Sequence, residues 1–170
     1  AVHVCVVDPG VGTGRRAVAL VTPRGRFVAP DNGVLTRVVA NLLADSSADL
    51  SHQDPGFLPV PAGCRAYMLE EPKYWRSPVS NTFHGRDVFA PVAGHLAKGI
   101  RPANLGGETD VLVALPQTAP EISFDSIEGA VVYVDSFGNL ITNIVGEAVG
   151  QGEAVVEIVG RSIEGPVRTF

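Results

Sequence analysis

Residues 4–16 read Val-Cys-Val-Val-Asp-Pro-Gly-Val-Gly-Thr-Gly-Arg-Arg, and the rest of the chain is organised around this stretch. The apolar start is typical of a β-strand that runs up to Asp8, and Pro9 ends the strand because proline has no N–H to donate. The glycines allow a tight turn and a close approach of backbone to a ligand. A carboxylate at a strand end beside Arg15 and Arg16 predicts a site for chemistry.

Two other interpretations of this loop stay open. A phosphate-binding glycine loop would open a helix, whereas the β-branched run that follows, residues 17–23, predicts a second strand. The carboxylate of Asp8 would also repel phosphate. The plainer alternative is a glycine-rich hairpin that carries an Asp–Arg pair on its surface.

Composition excludes several classes of protein. The 170-residue chain has a net charge of −5, which provides no basic surface for nucleic acid, and it has no apolar stretch long enough to span a bilayer. Its two cysteines, Cys5 and Cys64, form neither a metal-binding pattern nor a disulfide framework. We therefore expect a soluble, cytoplasmic protein with no metal, nucleic-acid or membrane partner.

The first part of the chain predicts a mixed α/β fold. Residues 25–30 predict a strand, and apolar residues at helical spacing predict a helix over 34–43. Asp31 lies between them, either as the N-cap of that helix or at a strand-to-helix junction where ligands bind. The polar, proline-rich residues 44–62 predict a loop. The neighbouring Tyr74 and Trp75 would either stack on a base or pack under a loop.

A second helix is predicted after residues 80–87. Its apolar face is formed by Phe89, Val92, Ala93 and Leu96, with a proline in the first turn and Gly99 just beyond the end. His84 then lies just before a helix N-terminus, a position that favours anions and polar ligands.

Near residue 125 the sequence changes to β-type runs with no helix between them, and this change predicts a second domain. Residues 101–126 read as an excursion and linker with a short strand at 111–113. The runs 129–135, 139–144 and 153–159 are β-type with no helix between them. We therefore expect an α/β domain over 1–124 and a mainly β domain over 125–170. The segment from Asp135 to Asn139 is, in its plainest interpretation, a hairpin turn.

Four segments together are more specific than any one of them. The chain contains, in this order, Val-Asp-Pro-Gly-Val-Gly-Thr-x-Arg-Arg, Pro-Asp-Asn-Gly, Ser-x-Thr-Phe-His-Gly-Arg-Asp-x-Phe-Ala-Pro and Asp-x-Phe-Gly-Asn-x-x-Thr-Asn-Ile. In these motifs it resembles the S-adenosylmethionine (SAM) hydroxide adenosyltransferase family, the adenosine-forming SAM hydrolases related to SAM-dependent fluorinases and chlorinases. The resemblance implies an N-terminal α/β domain and a barrel-like C-terminal β domain.

The same resemblance implies a reaction and a set of residues. Members cleave SAM to adenosine and L-methionine by attack of water or hydroxide at the ribose C5′, with SAM as substrate and no cofactor. They are homotrimers whose active sites lie between the N-terminal domain of one subunit and the C-terminal domain of its neighbour. The implied catalytic residues are Asp8, Arg15 and His84. The implied substrate contacts are Phe83 at the ribose, and Asp135, Phe137 and Asn139 at the methionine part.

Several alternatives to hydrolysis follow from the same comparison. The halogenating relatives carry tyrosines in place of Asp8 and His84, and a carboxylate at Asp8 would repel a halide, which favours water as the nucleophile. The family also has a further N-terminal segment with an Asp-Phe-Gly motif and a C-terminal Ser-Gly region. Neither occurs here, so we expect a piece of a longer chain, and a non-catalytic SAM- or adenosine-binding fragment is the alternative. A metal hydrolase is disfavoured because the four histidines lack ligand spacing.

The difficult part of this reaction is the nucleophile and not the leaving group. A sulfonium is already a good leaving group, whereas bulk water has a pKa of ~15.7. Fixing one water in line with C5′ and sulfur can lower the barrier by roughly 7–11 kcal/mol. We expect Asp8 to accept a hydrogen bond and then the proton from that water, with Arg15 keeping Asp8 ionised. His84 would orient the same water or take the proton onward.

Overall fold

The structure is a computed structural model that describes residues 1–43, 56–116, 119–149 and 154–165. Contacts divide the chain into two compact units, Ala1–Gln117 and Thr118–Phe170. The domain boundary after residue 124 stays a prediction. Within the described ranges, no helix combines the length and the apolar character needed to cross a membrane.

The first unit is built on a five-stranded sheet. The strands of the whole unit are β1 (Val2–Val4), β2 (Ala17–Thr22), β3 (Gly25–Pro30), β4 (Gly56–Pro59), β5 (Arg65–Met68), β6 (Glu108–Thr109) and β7 (Val111–Ala114), and all but β4 and β7 belong to this sheet. The sheet order is β1-β3-β2-β5-β6, with β1 parallel to β3 and the other neighbours antiparallel. The strands predicted at 17–23 and 25–30 are confirmed as β2 and β3, and β2 ends one residue earlier than predicted. The predicted hairpin around the glycine loop is wrong, because β1 pairs with β3 and the loop crosses over that strand.

A small second sheet corrects one predicted loop and confirms one predicted strand. Strand β4 pairs antiparallel with β7, with Gly56 opposite Ala114. Leu58, Leu112 and Ala114 are buried in the core of the unit. The loop predicted at 44–62 therefore contains a core strand, although residues 44–55 lie outside the described ranges. The short strand predicted at 111–113 within the linker is confirmed as β7.

Helices cover both faces of the main sheet. Alternation along β2 points Val18 and Leu20 to one face, where α1 (Thr36–Leu43) packs, and Ala19 to the other, where α2 (Ala90–Ala97) packs. The apolar face predicted for the second helix is confirmed by the burial of Phe89, Val92, Ala93 and Leu96. Short 3₁₀ turns lie at Pro72–Tyr74 and Pro102–Asn104.

The start of the second helical segment differs from its prediction. A π-helical turn, Gly85–Phe89, precedes α2, so Pro91 lies inside a longer helical stretch and not in its first turn. The end agrees: Gly99 has a φ of +95°, and Ile100 N–H donates to the carbonyl of His95, which closes the helix in a Schellman motif.

The second unit consists of short antiparallel pairs. They are β8 (Glu121–Ile122) with β9 (Ile127–Glu128), β10 (Val131–Val134) with β11 (Leu140–Thr142), and β12 (Val155–Ile158) with β13 (Arg161–Glu164). A short helix, α3 (Gly146–Val149), separates two of the pairs, so the expectation of no helix here is wrong. The described residues of this unit form no closed barrel. The fold is mixed α/β with several sheets.

Candidate active site

The loop between β1 and β2, residues 5–16, carries the first predicted site residues. The prediction that the strand runs up to Asp8 is wrong, because β1 ends at Val4 and only Cys5 N–H still bonds to β3, through the carbonyl of Val28 at 2.9 Å. The loop then turns on itself: Val11 N–H donates to the carbonyl of Asp8 at 3.1 Å. Asp8 is therefore presented by a loop tied to the sheet edge.

Two glycines bring this loop against the segment that carries His84. A Cβ at Gly12, which has a φ of +77°, would lie 2.6 Å from the carbonyl oxygen of Asn81. A Cβ at Gly85 would lie 2.9 Å from Cγ1 of Val6. Real Cβ atoms do not approach other atoms this closely, so glycine at both positions lets two segments distant in sequence meet.

The meeting of these segments places three predicted residues in direct contact. Arg15 Nε donates to the two carboxylate oxygens of Asp8 at 2.9 and 3.1 Å, and Arg15 Nη2 donates to Asp8 Oδ2 at 2.5 Å. The same Nη2 lies 2.9 Å from Nδ1 of His84. We call Asp8, Arg15 and His84 the Asp–Arg–His cluster.

The hydrogen bonds of the cluster fix the tautomer of His84. A guanidinium has only donors, so Nδ1 of His84 must be the acceptor of the bond from Arg15. The neutral ring then carries its proton on Nε2. His84 thus offers an N–H on the side of the ring away from Arg15.

The cluster is withdrawn from solvent. The side chains of Asp8 and Arg15 are 6% and 11% exposed, and the Arg15 guanidinium lies over the Phe89 ring, 5.2 Å from its centroid. The interpretation as a surface Asp–Arg pair is therefore wrong. A buried, bidentate pair of this kind holds a carboxylate in one orientation.

A second arginine–aspartate pair supports the loop. Arg16 Nε donates to Asp31 Oδ2 at 2.8 Å, and Arg16 also donates to Thr109 Oγ1 and to the carbonyl of Val111. Asp31, with a side chain 2% exposed, accepts from Val113 N–H at 2.8 Å. Because α1 begins at Thr36 and both oxygens of Asp31 are used elsewhere, the N-cap prediction is wrong.

No role was predicted from the sequence for Asn32, although its side chain forms a hydrogen bond to the loop between β1 and β2. Its Nδ2 donates to the carbonyl of Val7 at 2.8 Å, next to Asp8, and its Oδ1 accepts from Val34 N–H at 3.1 Å. The sequence signal that could have identified Asn32 is its position in the Pro-Asp-Asn-Gly motif.

The segment around His84 is anchored by a buried acid. Asp87 is fully buried and accepts hydrogen bonds from Arg86 and, at 2.9 Å, from the backbone N–H of Ser80. The bonds from Arg86, and then that from Ser80, hold the pKa of Asp87 well below its usual range. Arg86 also lies over the ring of Phe83, 5.0 Å from its centroid, and Phe83 is 59% exposed beside His84.

The remaining predicted residues share one turn in the second unit. Asp135 Oδ1 accepts from the backbone N–H groups of Phe137 and Asn139, and Oδ2 accepts from Asn139 Nδ2 at 2.7 Å. These bonds, the side chain of Asn139 first, lower the pKa of Asp135. Phe137 is 90% exposed at the tip of the turn.

A cavity of about 310 Å³ adjoins the Asp–Arg–His cluster within the first unit. Arg15, His84 and Trp75 are among its lining residues. Tyr74 and Trp75 pack against the α2 side of the core, as the second of their two interpretations expected. No group of three or more metal-ligating side chains occurs among the residues that the structure describes.

Comparisons with known proteins show which family the chain resembles over most of its length. Residues 1–106 match the family model of the SAM hydroxide adenosyltransferase N-terminal domain, and residues 129–170 match that of the C-terminal domain. The chain is 43% identical to the (R)-S-adenosyl-L-methionine hydrolase of Salinispora arenicola (strain CNS-205) over 142 residues, which cover 82% of this chain and 48% of that protein. It is also 43% identical to the (R)-S-adenosyl-L-methionine hydrolase of Thermus thermophilus over an alignment of 178 positions, which covers 99% of this chain and 58% of that protein.

Solved structures show the same likeness. An uncharacterized conserved protein from Thermotoga maritima matches with a TM-score of 0.68 at 32% identity, over 96% of this chain and 58% of that one. A conserved hypothetical protein from Thermus thermophilus matches with a TM-score of 0.59 at 36% identity, over 96% and 54%. The chain spans about half the length of the curated relatives it matches. On the match of its residues 1–106 and 129–170, the chain belongs to the SAM hydroxide adenosyltransferase family.

Proposed function

We propose that this protein hydrolyses SAM to adenosine and L-methionine, with Asp8, Arg15 and His84 as its catalytic residues. The observation that carries the proposal is the direct hydrogen bonding of these three side chains, of which those of Asp8 and Arg15 are withdrawn from solvent. The names of the hydrolases to which the chain is similar support the same reaction.

In the proposed reaction, the oxygen of one water molecule forms a bond to C5′ of the ribose. The C5′–S bond breaks, and its electron pair neutralises the sulfonium, which leaves as the thioether of methionine. One proton is released from the water to the carboxylate of Asp8 and passes from there to solvent. Arg15 holds that carboxylate in one orientation, so that the lone pairs of Asp8 that Arg15 does not use can orient the water before the attack.

The hydrogen bond that His84 accepts from Arg15 limits what its side chain can do in the reaction. Because Nδ1 accepts from Arg15 and Nε2 carries the proton, neither ring nitrogen is free to take a proton from the water. His84 instead donates from Nε2 to the oxygen of the attacking water. Asp8 thus accepts from the water while His84 donates to it, and the two bonds together fix its orientation.

We place the substrate by the remaining motif residues. Phe83, exposed beside His84, lines the ribose and C5′, and the turn of Asp135, Phe137 and Asn139 contacts the methionine part. The active enzyme is a cytoplasmic homotrimer without a cofactor, in which one subunit's N-terminal domain and its neighbour's C-terminal domain share each site. The exposure of all four residues of β10, three of them valines, supports burial of this strand in an assembly.

The test is direct. Purified protein that contains this chain is incubated with SAM, and adenosine and L-methionine are separated by chromatography; the two should appear in equal amounts. Addition of chloride should leave the products unchanged, and formation of 5′-chloroadenosine would overturn hydrolysis in favour of halogenation. Tight binding of SAM or adenosine by calorimetry without any product would establish the non-catalytic alternative.

A further inference from the structure

Phe89 belongs to the same sequence motif as His84 but takes no part in the hydrogen bonds of the Asp–Arg–His cluster. Its side chain is fully buried on the α2 side of the core. The guanidinium carbon of Arg15 lies over its ring, 5.2 Å from the centroid. Phe89 and His84 therefore contact the same arginine, His84 through Nδ1 at 2.9 Å from Nη2.

The π-helical turn Gly85–Phe89 allows these two side chains to reach one arginine. In an α-helix of 3.6 residues per turn, residues five apart point about 140° away from each other. Here Ala90 N–H donates to the carbonyl of Gly85, five residues earlier, and in this wider turn residues five apart lie closer to the same side. His84 and Phe89 are five apart, so an α-helical turn would direct one of them away from the arginine.

Pro91 and Arg76 account for the wider turn at this point. A proline has no N–H, and inside an α-helix its ring clashes with the carbonyl four residues earlier. That carbonyl belongs to Asp87, and it accepts instead from the backbone N–H of Arg76 at 2.8 Å. The turn is thus held partly by a group outside the helix.

The contacts of Arg15 restrain its guanidinium in three different ways. Asp8 accepts from Nε and Nη2, and His84 accepts from the same Nη2. The ring of Phe89 attracts the cation through its π face and needs no hydrogen bond to do so. Because Nη2 serves two acceptors at once, a small rotation of the guanidinium would lengthen at least one of these bonds.

We propose that Phe89 is a positioning residue of the Asp–Arg–His cluster: its ring, aimed by the π-helical turn, holds Arg15 so that Nη2 reaches Asp8 and His84 together. Phe89 itself touches no reacting group and acts through Arg15. The kinetic consequence rests on the proposed function, whereas the effect on the hydrogen bond of His84 does not.

The bond from Arg15 can be followed without turnover, through the tautomer of His84. At about pH 8, where a free imidazole is neutral, long-range ¹H–¹⁵N correlation spectra of the wild-type protein should show Nδ1 without a proton and Nε2 with one. The signals of His84, among those of the four histidines, are identified by their absence from His84→Gln.

Phe89→Met removes the ring and keeps an apolar side chain that adapts to the core. We expect the single tautomer of His84 to give way to a mixture of the two. A wild-type protein without the fixed tautomer, or a Phe89→Met variant that retains it, would overturn the proposal.

The kinetic part compares Phe89→Met with Val92→Ala, which disturbs the same part of the core and leaves the ring under Arg15. For Phe89→Met, kcat should fall about tenfold with KM for SAM little changed, because the ring acts on Arg15 and not on the substrate. Val92→Ala should keep both kcat and the tautomer of His84. An equal loss of kcat in the two variants, or a rise in KM alone for Phe89→Met, would refute the positioning role.

Circular dichroism shows whether each variant is folded, and Phe89→Leu, which also lacks the ring, takes the place of Phe89→Met if that variant does not fold. The failure of this inference is distinguishable from the failure of the proposed function. If the wild-type protein releases no adenosine, the proposed function fails, and the tautomer of His84 in the variants still decides the role of Phe89.

Discussion

Two turns of this protein look alike in sequence and differ in what their acid does. Asp8 and Asp135 each follow an apolar strand-like run and each precede a turn that contains glycine. The carboxylate of Asp8 is buried and binds Arg15, a side chain at the far end of its loop. The carboxylate of Asp135 is bound by the turn that it begins, through Phe137 and Asn139.

The role of an acid at a strand end therefore depends on its hydrogen-bond partners and not on the sequence motif in which it occurs. A carboxylate that accepts from its own turn shapes the backbone locally, as Asx turns do. A carboxylate held by a buried guanidinium is fixed in orientation while part of its surface stays available to a ligand. Asp31, a third acid at a strand end, lies between these cases, because it binds Arg16 and Val113 and connects loop to strand.

The largest effect is expected at Asp8. Asp8→Asn removes the proton acceptor but keeps the shape, so turnover should fall by about 10²–10⁴-fold while SAM still binds. Adenosine release measured by chromatography and binding measured by calorimetry separate the two effects. Asp135→Asn is the comparison variant. If Asp8→Asn releases adenosine at a near-normal rate, Asp8 is not the base.

The next effect concerns stability and not chemistry. Asp31→Ala leaves Nε of Arg16 and the N–H of Val113 without their acceptor, and we expect the free energy of unfolding to fall by about 3 kcal/mol. Urea denaturation followed by circular dichroism measures the loss. A variant as stable as the wild type would show that this buried pair is not a structural connection.

A smaller effect is expected at Asn32, which holds the backbone next to Asp8. Asn32→Ala removes one hydrogen bond to the carbonyl of Val7 and should lower kcat by up to about tenfold, with little change in KM. Steady-state kinetics give the two constants separately. A rise in KM with unchanged kcat would indicate that Asn32 acts on binding and does not position Asp8.

The smallest effect is a pH dependence in the second unit. The folded pKa of Asp135 is lowered, so its ionised form stabilises the turn above the usual carboxyl pKa, about 4, and this stabilisation is lost as the pH falls toward the folded value. Asp135→Asn should therefore be less stable than the wild type at pH 7, with a difference that shrinks below about pH 4. Unfolding curves at several pH values measure it, and a constant difference would contradict the assignment.

Local structure was predictable where local patterns decide it. Strands β2 and β3 and the buried face of α2 follow from alternation and helical spacing, which depend on neighbours in sequence. The end of β1 could not be predicted in this way, because its partner is β3 and not the next strand. The π-helical turn before α2 likewise left no sequence signal beyond a proline further into the helix than expected.

The contacts of the candidate site join residues far apart in sequence, so local patterns did not predict them. Arg15 and His84 are 69 residues apart, and only the resemblance to a family placed them together. Asp31 looked like a helix cap because its partners, Arg16 and Val113, are 15 and 82 residues away.

The parallel pairing of β1 has a consequence for the order in which the molecule assembles. The β2–β3 hairpin closes over few residues, whereas β1 docks beside β3 only after the chain has crossed over it. We therefore expect the acid that follows β1 to reach its arginine only once the hairpin scaffold exists. If the chain acts as we propose, a partly folded form would contain all three reactive side chains and yet be inert toward sulfonium compounds.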